Sequence, residues 1–136
     1  MLGALAPVIL EDPQAHQTGV EVAVRTARLL SGAEGETPFI DLADDNGKVG
    51  ERTQHARRIR PEQGLSMQEW QIAAEGAEKV ARAVKEETGL RTVFHHHCAG
   101  HVETPAEIDM LLNLTDPNLL GLCLDTGHFQ FGGVIL

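Results

Sequence analysis

Short apolar runs alternate with amphipathic stretches along this chain, and the alternation restricts the fold more than any other feature. The apolar runs predict four strands, at residues 6–10, 38–42, 90–97 and 119–124. They are apolar on both faces and are separated by helical patterns, which is typical of parallel strands joined by right-handed helical crossovers. We therefore predict an α/β protein with a parallel sheet.

Residues that start and stop helices support this interpretation. Apolar residues three and four positions apart predict a helix over 20–30. Ser66 and Glu69 have the spacing of a capping box, so a helix begins there, runs to about residue 88 and ends at Gly89. Thr104 repeats the capping logic and opens a helix that ends near residue 114. The irregular segment 46–65 predicts a long loop.

Size and charge limit the possible functions. A chain of 136 residues has the size of one ordinary domain. Its formal net charge of −9 argues against binding to nucleic acid or to an anionic membrane, because both would repel it. No apolar run approaches the roughly 20 residues that span a bilayer. A small polar or cation-assisted substrate fits this charge better.

Two further patterns bear on location. The opening segment MLGALAPVIL lacks the basic start and the cleavage site of a secretory signal, so it predicts a strand. Cys98 and Cys123 stand in a chain too large for a disulfide-stapled miniprotein. We expect reduced thiols and a cytoplasmic protein.

Residues that can bind metals collect where the predicted strands end. Asp44 and Asp45 follow the second strand, 95–97 is a run of three histidines that closes the third, and Asp125 and His128 follow the fourth. Five of the seven histidines lie between positions 95 and 128. Because ligands bind at the carboxyl ends of parallel strands, these residues predict one shared site.

Strand geometry divides the three histidines. Side chains alternate along a strand, so His95 and His97 should lie on one side and His96 on the other. Imidazole nitrogen and carboxylate oxygen together suit Mn²⁺, Zn²⁺, Fe²⁺ or Co²⁺. Without a pair of thiolates, an open catalytic site is favoured over a structural zinc site.

Each of these residues also has a purely structural interpretation. His96 alone is explained as a hydrogen-bonded core residue. The acidic pair 44–45 suits a turn, and Glu103 and Glu107 suit a helix start, where the dipole favours negative charge. His101 can be a solvated loop residue. Only the convergence of imidazoles and an aspartate on adjacent strand ends points to chemistry.

The segments TVFHHHCAGHVETP (92–105), LCLDTGH (122–128) and LADDNG (42–47) resemble the sugar phosphate isomerase/epimerase family, with inosose dehydratase-like members the most similar. The resemblance implies a (β/α)8 TIM barrel of the xylose isomerase type. It implies a divalent metal at the carboxyl end of the strands, with Mn²⁺ expected and Co²⁺, Zn²⁺ or Mg²⁺ as alternatives. His95 corresponds to a first metal ligand and Asp125 to a second, while the choice between His95 and His96 stays open.

The same resemblance implies a substrate and a reaction. His97 and His128 correspond to residues that contact substrate hydroxyls, and Glu103 to a carboxylate near the sugar. Glu103 and His128 are therefore the expected catalytic residues, acting on a sugar or polyol. Isomerisation, epimerisation and dehydration share proton transfer through an enediolate, so the sequence does not choose among them.

The chain also departs from the family pattern. A full barrel takes about 250 residues, and the pattern here predicts about four strand–helix units, without counterparts of a later His and Glu ligand. We expect residues 1–136 to form a single partial TIM-barrel domain, a fragment of a larger barrel. Open sheet edges predict a homo-oligomer that covers them. The alternative is a catalytically inactive half barrel that binds metal or polyol as a subunit; a DNA-repair endonuclease is disfavoured by the acidic charge.

Overall fold

The computed structural model describes residues 3–32, 37–44 and 48–133. Its centre is a four-stranded parallel sheet in the order β1-β2-β3-β4. The strands are Gly3–Val8 (β1), Phe39–Asp44 (β2), Arg91–His95 (β3) and Leu120–Cys123 (β4). Sequential order without a reversal is the arrangement in a barrel wall, and the predicted α/β fold with four strand–helix units is confirmed.

The described residues also form five α-helices and one 3₁₀ turn. The helices are His16–Leu30 (α1), Gly50–His55 (α2), Met67–Thr88 (α3), Pro105–Leu114 (α4) and Thr126–Phe131 (α5), and the 3₁₀ turn is Pro61–Gln63. Both predicted capping boxes form, at the starts of α3 and α4. Gly89 ends α3 with a φ of 72°, the left-handed conformation that glycine adopts without a Cβ clash.

Several predicted boundaries are wrong. The first strand runs over Gly3–Val8 rather than over 6–10, and Val8 pairs with Asp44 at the carboxyl end of β2. β3 stops at His95 rather than His97, since it pairs there with the last residue of β4. Helix α1 begins before residue 20, in a polar turn that shows no apolar spacing.

The predicted long loop contains local structure. Segment 46–65 includes α2 and the 3₁₀ turn, neither of which shows apolar periodicity in the sequence. A fully buried arginine, Arg52, anchors α2 to the rest of the molecule. Asp45 and the following residues 46–47 lie outside the described residues, as do residues 1–2 of the opening segment.

The hydrophobic core lies between the sheet and the helices. Its sheet side includes Ile40, Leu42 and Phe94, all with 0% exposure. Its helix side is built mainly from small residues of α1 and α3: Ala23, Ala27, Ala73, Ala77, Val80, Ala81 and Val84. Small side chains allow the helices to lie close to the strands. None of the described helices is long and apolar enough to cross a membrane.

The other face of the sheet is more open. Asp41, Val93 and Cys123 alternate with the core residues and are only half-buried. Burial raises the pKa of Asp41, and the nearby His95 opposes that shift. This face and the adjoining carboxyl ends of the strands are where polar side chains collect.

Candidate functional site

Three imidazoles converge at the carboxyl ends of β3 and β4. His95 is the last residue of β3, His97 follows it, and His128 lies in the first turn of α5. One ring nitrogen from each lies within 4.8 Å of the others, and all three residues are half-buried. The ring centroids are 4.4 Å apart for His95 and His97, and 5.0 Å apart for His97 and His128. We call these three residues the histidine cluster.

His96 points to the opposite side, as strand alternation predicts. It has 0% exposure, and its Nε2 accepts the backbone N–H of Asp125 at 3.3 Å. Burial is the main cause that lowers the pKa of His96, followed by the neighbouring imidazoles His128 and His95. His96 is therefore a buried residue that ties the end of β3 to the turn after β4 through Nε2, while its Nδ1 has no hydrogen-bond partner among the described residues.

Asp125 lies beside the histidine cluster but outside its 4.8 Å span. It is the N-cap of α5, and its Oδ1 accepts the backbone N–H of His128 at 2.9 Å. That hydrogen bond is the main cause that lowers the pKa of Asp125. The carboxylate is thus ionised and holds the helical turn that carries His128. A metal-binding role for Asp125 stays a prediction.

The surroundings of His97 favour its neutral form. Burial, reinforced by the neighbouring His95 and His128, lowers the pKa of His97 to about 4. A neutral ring is the form that binds a metal ion. In addition, the Nδ1 atom of His128 is buried without a hydrogen-bond partner in the described part of the chain. The donor set therefore fits a divalent cation.

Glu103 is engaged in the fold on both of its oxygens. It has 0% exposure. Oε1 accepts the N–H of Arg57 at 2.5 Å and Oε2 accepts the N–H of Ala99 at 2.6 Å. Both donors are non-glycine residues with left-handed backbone, at φ values of 73° and 67°. Glu103 therefore offsets the strain of two loop residues at once, and its catalytic role stays a prediction.

A buried arginine was missed by sequence reasoning. Arg52 is 1% exposed and forms a bidentate pair with Glu107, at 2.8 and 2.9 Å. Its Nε donates to the carbonyl of Gly100 at 2.5 Å, and Nη1 donates to the carbonyl of Gln63 at 3.0 Å. We call these four residues the arginine clamp. It fastens α2 and the 3₁₀ turn to the loop between β3 and α4, which carries His97.

No signal in the sequence singles out Arg52. It stands among other arginines in a polar, aperiodic segment, and only its tertiary contacts distinguish it. Glu107 was predicted as a helix-start residue, which the capping box of α4 confirms. Its second function, as the partner of Arg52, depends on a residue 55 positions away.

Asp44 supports the same loop from β2. Its Oδ2 accepts the N–H of His101 at 2.5 Å, so it serves a distant loop rather than its own turn. A Cβ at Gly100 would lie 2.3 Å from that oxygen, so only glycine allows this approach. Burial raises the pKa of Asp44 to about 6. His101 is not freely solvated, because its Nε2 lies 3.5 Å from a carboxylate oxygen of Glu11.

Comparison with known proteins gives a partial match. No protein-family model matches the chain. Inosose dehydratase of Clostridium perfringens is 44% identical over 69 residues, which are 51% of this chain and 23% of that protein. Inosose dehydratase of Geobacillus kaustophilus is 44% identical over 71 residues, 52% of this chain and 23% of that protein. Inosose dehydratase 2 of Bacillus cereus is 42% identical over 66 residues, which are 48% of this chain and 22% of that protein.

The matched residues therefore span less than a quarter of each of these relatives. The similarity supports the resemblance to the xylose isomerase-like superfamily. The parallel sheet in sequential order, with helices on one face, is consistent with part of a (β/α)8 barrel.

Proposed function

We propose that this chain carries part of the active site of a divalent-metal-dependent enzyme that isomerises, epimerises or dehydrates a sugar or polyol. The observation that carries the proposal is the histidine cluster beside Asp125, at the carboxyl ends of two adjacent parallel strands. In barrels of this type, the carboxyl ends of the strands hold the active site. The names of the relatives support an inosose, a keto-polyol, as the kind of substrate.

The proposal gives each residue a defined role. The family resemblance assigns metal binding to His95 and Asp125. A bound divalent cation would supply Lewis-acid polarisation of neighbouring substrate oxygens. His97 and His128 are proposed to contact substrate hydroxyls, and His128 to accept and return the proton next to the carbonyl carbon.

Glu103 is proposed to act indirectly. Direct proton transfer would require it to break one of its hydrogen bonds to the Arg57 and Ala99 amides. Holding Ala99 in place keeps the loop after β3 in position, and that loop carries His97. We therefore assign proton transfer to His128 and positioning to Glu103.

Proton exchange is the most direct test. The purified chain is incubated in deuterated buffer with Mn²⁺, Co²⁺ or Zn²⁺ and either 2-keto-inositol or a panel of ketoses, and label at the carbon next to the carbonyl is followed by NMR. We expect exchange by the wild type, loss of exchange in His128→Ala, and unchanged exchange in His55→Ala, a histidine on α2 outside the cluster. Metal binding without exchange would instead favour a catalytically inactive binding subunit.

A second copy of the chain is the proposed partner. Within the described residues, β1 pairs only with β2 and β4 pairs only with β3, so both outer edges of the sheet are open. Open edges and a half-buried sheet face favour association. We propose a homo-oligomer in the cytoplasm, where the two thiols stay reduced. Sedimentation that shows a stable monomer at micromolar concentration would contradict the oligomer.

A further inference from the structure

The loop between β3 and α4 is bonded to buried charged side chains at three consecutive residues. These residues are 99–101, and their partners are Glu103, Arg52 and Asp44 in that order. The three hydrogen bonds to the loop backbone are 2.5–2.6 Å long. None of the three side chains is more than 5% exposed. Hydrogen bonds to charged groups are short and strong, so they fix this stretch of backbone in one position.

Of these three partners, only Asp44 belongs to the sheet. It is the last residue of β2, whereas Arg52 lies on α2 and Glu103 lies in the loop itself. The loop backbone packs directly against the Asp44 carboxylate, because a Cβ at Gly100 would lie 2.3 Å from its Oδ2. Asp44 therefore sets the position of the loop relative to the strands.

The same loop carries His97. The pairing of β3 with β4 ends at His95, so the sheet no longer holds the backbone of His97 directly. The ring of His97 lies beside that of His128, with centroids 5.0 Å apart. Between His97 and the contact with Asp44, Ala99 has a φ of 67°, a strained conformation for a residue other than glycine. Such a conformation persists only where the surroundings enforce it.

The burial of Asp44 is not explained by stability. Burial raises its pKa to about 6, so the folded protein holds the ionised carboxylate at a cost at neutral pH. Its Oδ1 is buried without a hydrogen-bond partner in the described part of the chain. Departures from the rules of packing and pairing are expected at functional sites. The hydrogen bond from His101 indicates what the carboxylate contributes there, which is the position of the loop.

We propose that Asp44 is a positioning residue for His97, because it fixes the loop after β3 from the end of the neighbouring strand and so places the His97 ring beside His128. The consequence for chemistry rests on the proposed function, in which His97 contacts substrate hydroxyls. A displaced His97 then weakens substrate binding, whereas proton transfer by His128 stays intact. Asp44 thereby separates binding from proton transfer.

Nuclear Overhauser effects between the ring protons of His97 and His128 test the position without substrate or metal. Asp44→Ala removes the acceptor of the His101 N–H and should weaken these effects. Asp44→Asn keeps an oxygen that accepts this N–H, so the effects should persist. Asp116→Ala is the control, because Asp116 accepts the N–H of Asn118 at 2.8 Å in an exposed turn before β4. Unchanged effects in folded Asp44→Ala would overturn the inference.

Two further measurements do not depend on the folding of Asp44→Ala. Gly100→Ala introduces a Cβ into the space of the Asp44 carboxylate and should weaken the same effects from the loop side. In the wild type, the His101 amide should be protected from hydrogen exchange by its bond to Asp44. An unprotected His101 amide, or unchanged effects in folded Gly100→Ala, would overturn the inference. Circular dichroism verifies that each variant is folded.

Exchange of the substrate proton in deuterated buffer tests the consequence for chemistry. Asp44→Ala should raise the concentration of 2-keto-inositol at half-maximal exchange by about tenfold, the equivalent of one lost hydrogen bond. The rate at saturating substrate should stay the same, and Asp44→Asn should restore most of the affinity. An unchanged half-maximal concentration in Asp44→Ala would overturn the inference and leave the proposed function standing. Conversely, the expected ring effects without proton exchange by the wild type would refute the proposed function and leave the positioning of His97 intact.

Discussion

The arginine clamp and the histidine cluster are two polar regions on either side of the same loop, and they differ in how completely their hydrogen bonds are satisfied. In the clamp, the guanidinium of Arg52 donates to two carbonyls and to both oxygens of Glu107. In the cluster, a buried nitrogen of His128 has no partner in the described part of the chain. A fully satisfied buried network rigidifies the fold and specifies one arrangement. Substitutions in both regions can sharpen or break this distinction.

The largest expected effect is in the clamp. Arg52→Leu leaves the carboxylate of Glu107, which is 12% exposed, without its charged partner. Loss of one member of a buried ion pair lowers the free energy of unfolding by about 3–5 kcal/mol. Urea unfolding measures the change. Arg28→Leu is the control, because the pair of Arg28 with Glu87 is exposed and contributes about 1 kcal/mol or less. If both substitutions lower the free energy of unfolding by the same amount, the arginine clamp contributes no more to stability than an exposed ion pair does.

Asp44 gives a pH-dependent prediction. The folded state raises its pKa from 3.8 to about 6 by burial, so the folded protein binds this proton more tightly than the unfolded chain does. The contribution of Asp44 to stability is therefore greatest below pH 3.8 and falls as the pH rises through about 6.

The matched variant isolates this contribution. Asp44→Asn removes the titration, so the difference in unfolding free energy between wild type and variant should change by about 2 kcal/mol between pH 4 and pH 7. Urea unfolding at both pH values measures it, and other titrating groups cancel in the difference. Parallel pH profiles of the two proteins would show that the Asp44 carboxylate is not buried in solution.

Glu103 should have an intermediate effect. Glu103→Gln turns an amide NH₂ toward the N–H of Arg57 or Ala99, so one buried hydrogen bond is lost at a cost of about 1–3 kcal/mol. Glu62→Gln, at an exposed residue of the 3₁₀ turn, should change stability by no more than about 0.5 kcal/mol. If Glu103→Gln leaves the free energy of unfolding unchanged, the structural role of Glu103 is contradicted and a direct role in catalysis is favoured.

The smallest effect on stability is expected in the histidine cluster. His128→Ala removes a ring whose buried Nδ1 has no hydrogen-bond partner among residues 3–32, 37–44 and 48–133, while the backbone N–H still donates to Asp125. The free energy of unfolding without metal should change by less than about 1 kcal/mol. The same variant should lose exchange of the substrate proton in deuterated buffer, because His128 is the residue proposed to transfer it. A loss of several kcal/mol without metal would make the cluster structural, like the clamp.

The sequence determined the elements of the fold and the general place of the site. Capping residues such as Ser66 and Thr104, and the stop at Gly89, act through contacts a few residues away, so helices α3 and α4 could be predicted closely. The parallel order followed from strands that are apolar on both faces. Alternation along the predicted third strand also separated His96 from its two neighbours.

Only the tertiary structure decided which polar residues support the fold and which lie open. Arg52 meets Glu107 across 55 positions, and Asp44 meets His101 across 57, so neither contact leaves a local pattern in the sequence. The strand ends were set by the lengths of their partners, as at His95. Local capping energies depend on nearby residues and can be inferred from sequence, whereas burial and long-range hydrogen bonds exist only once the chain has folded.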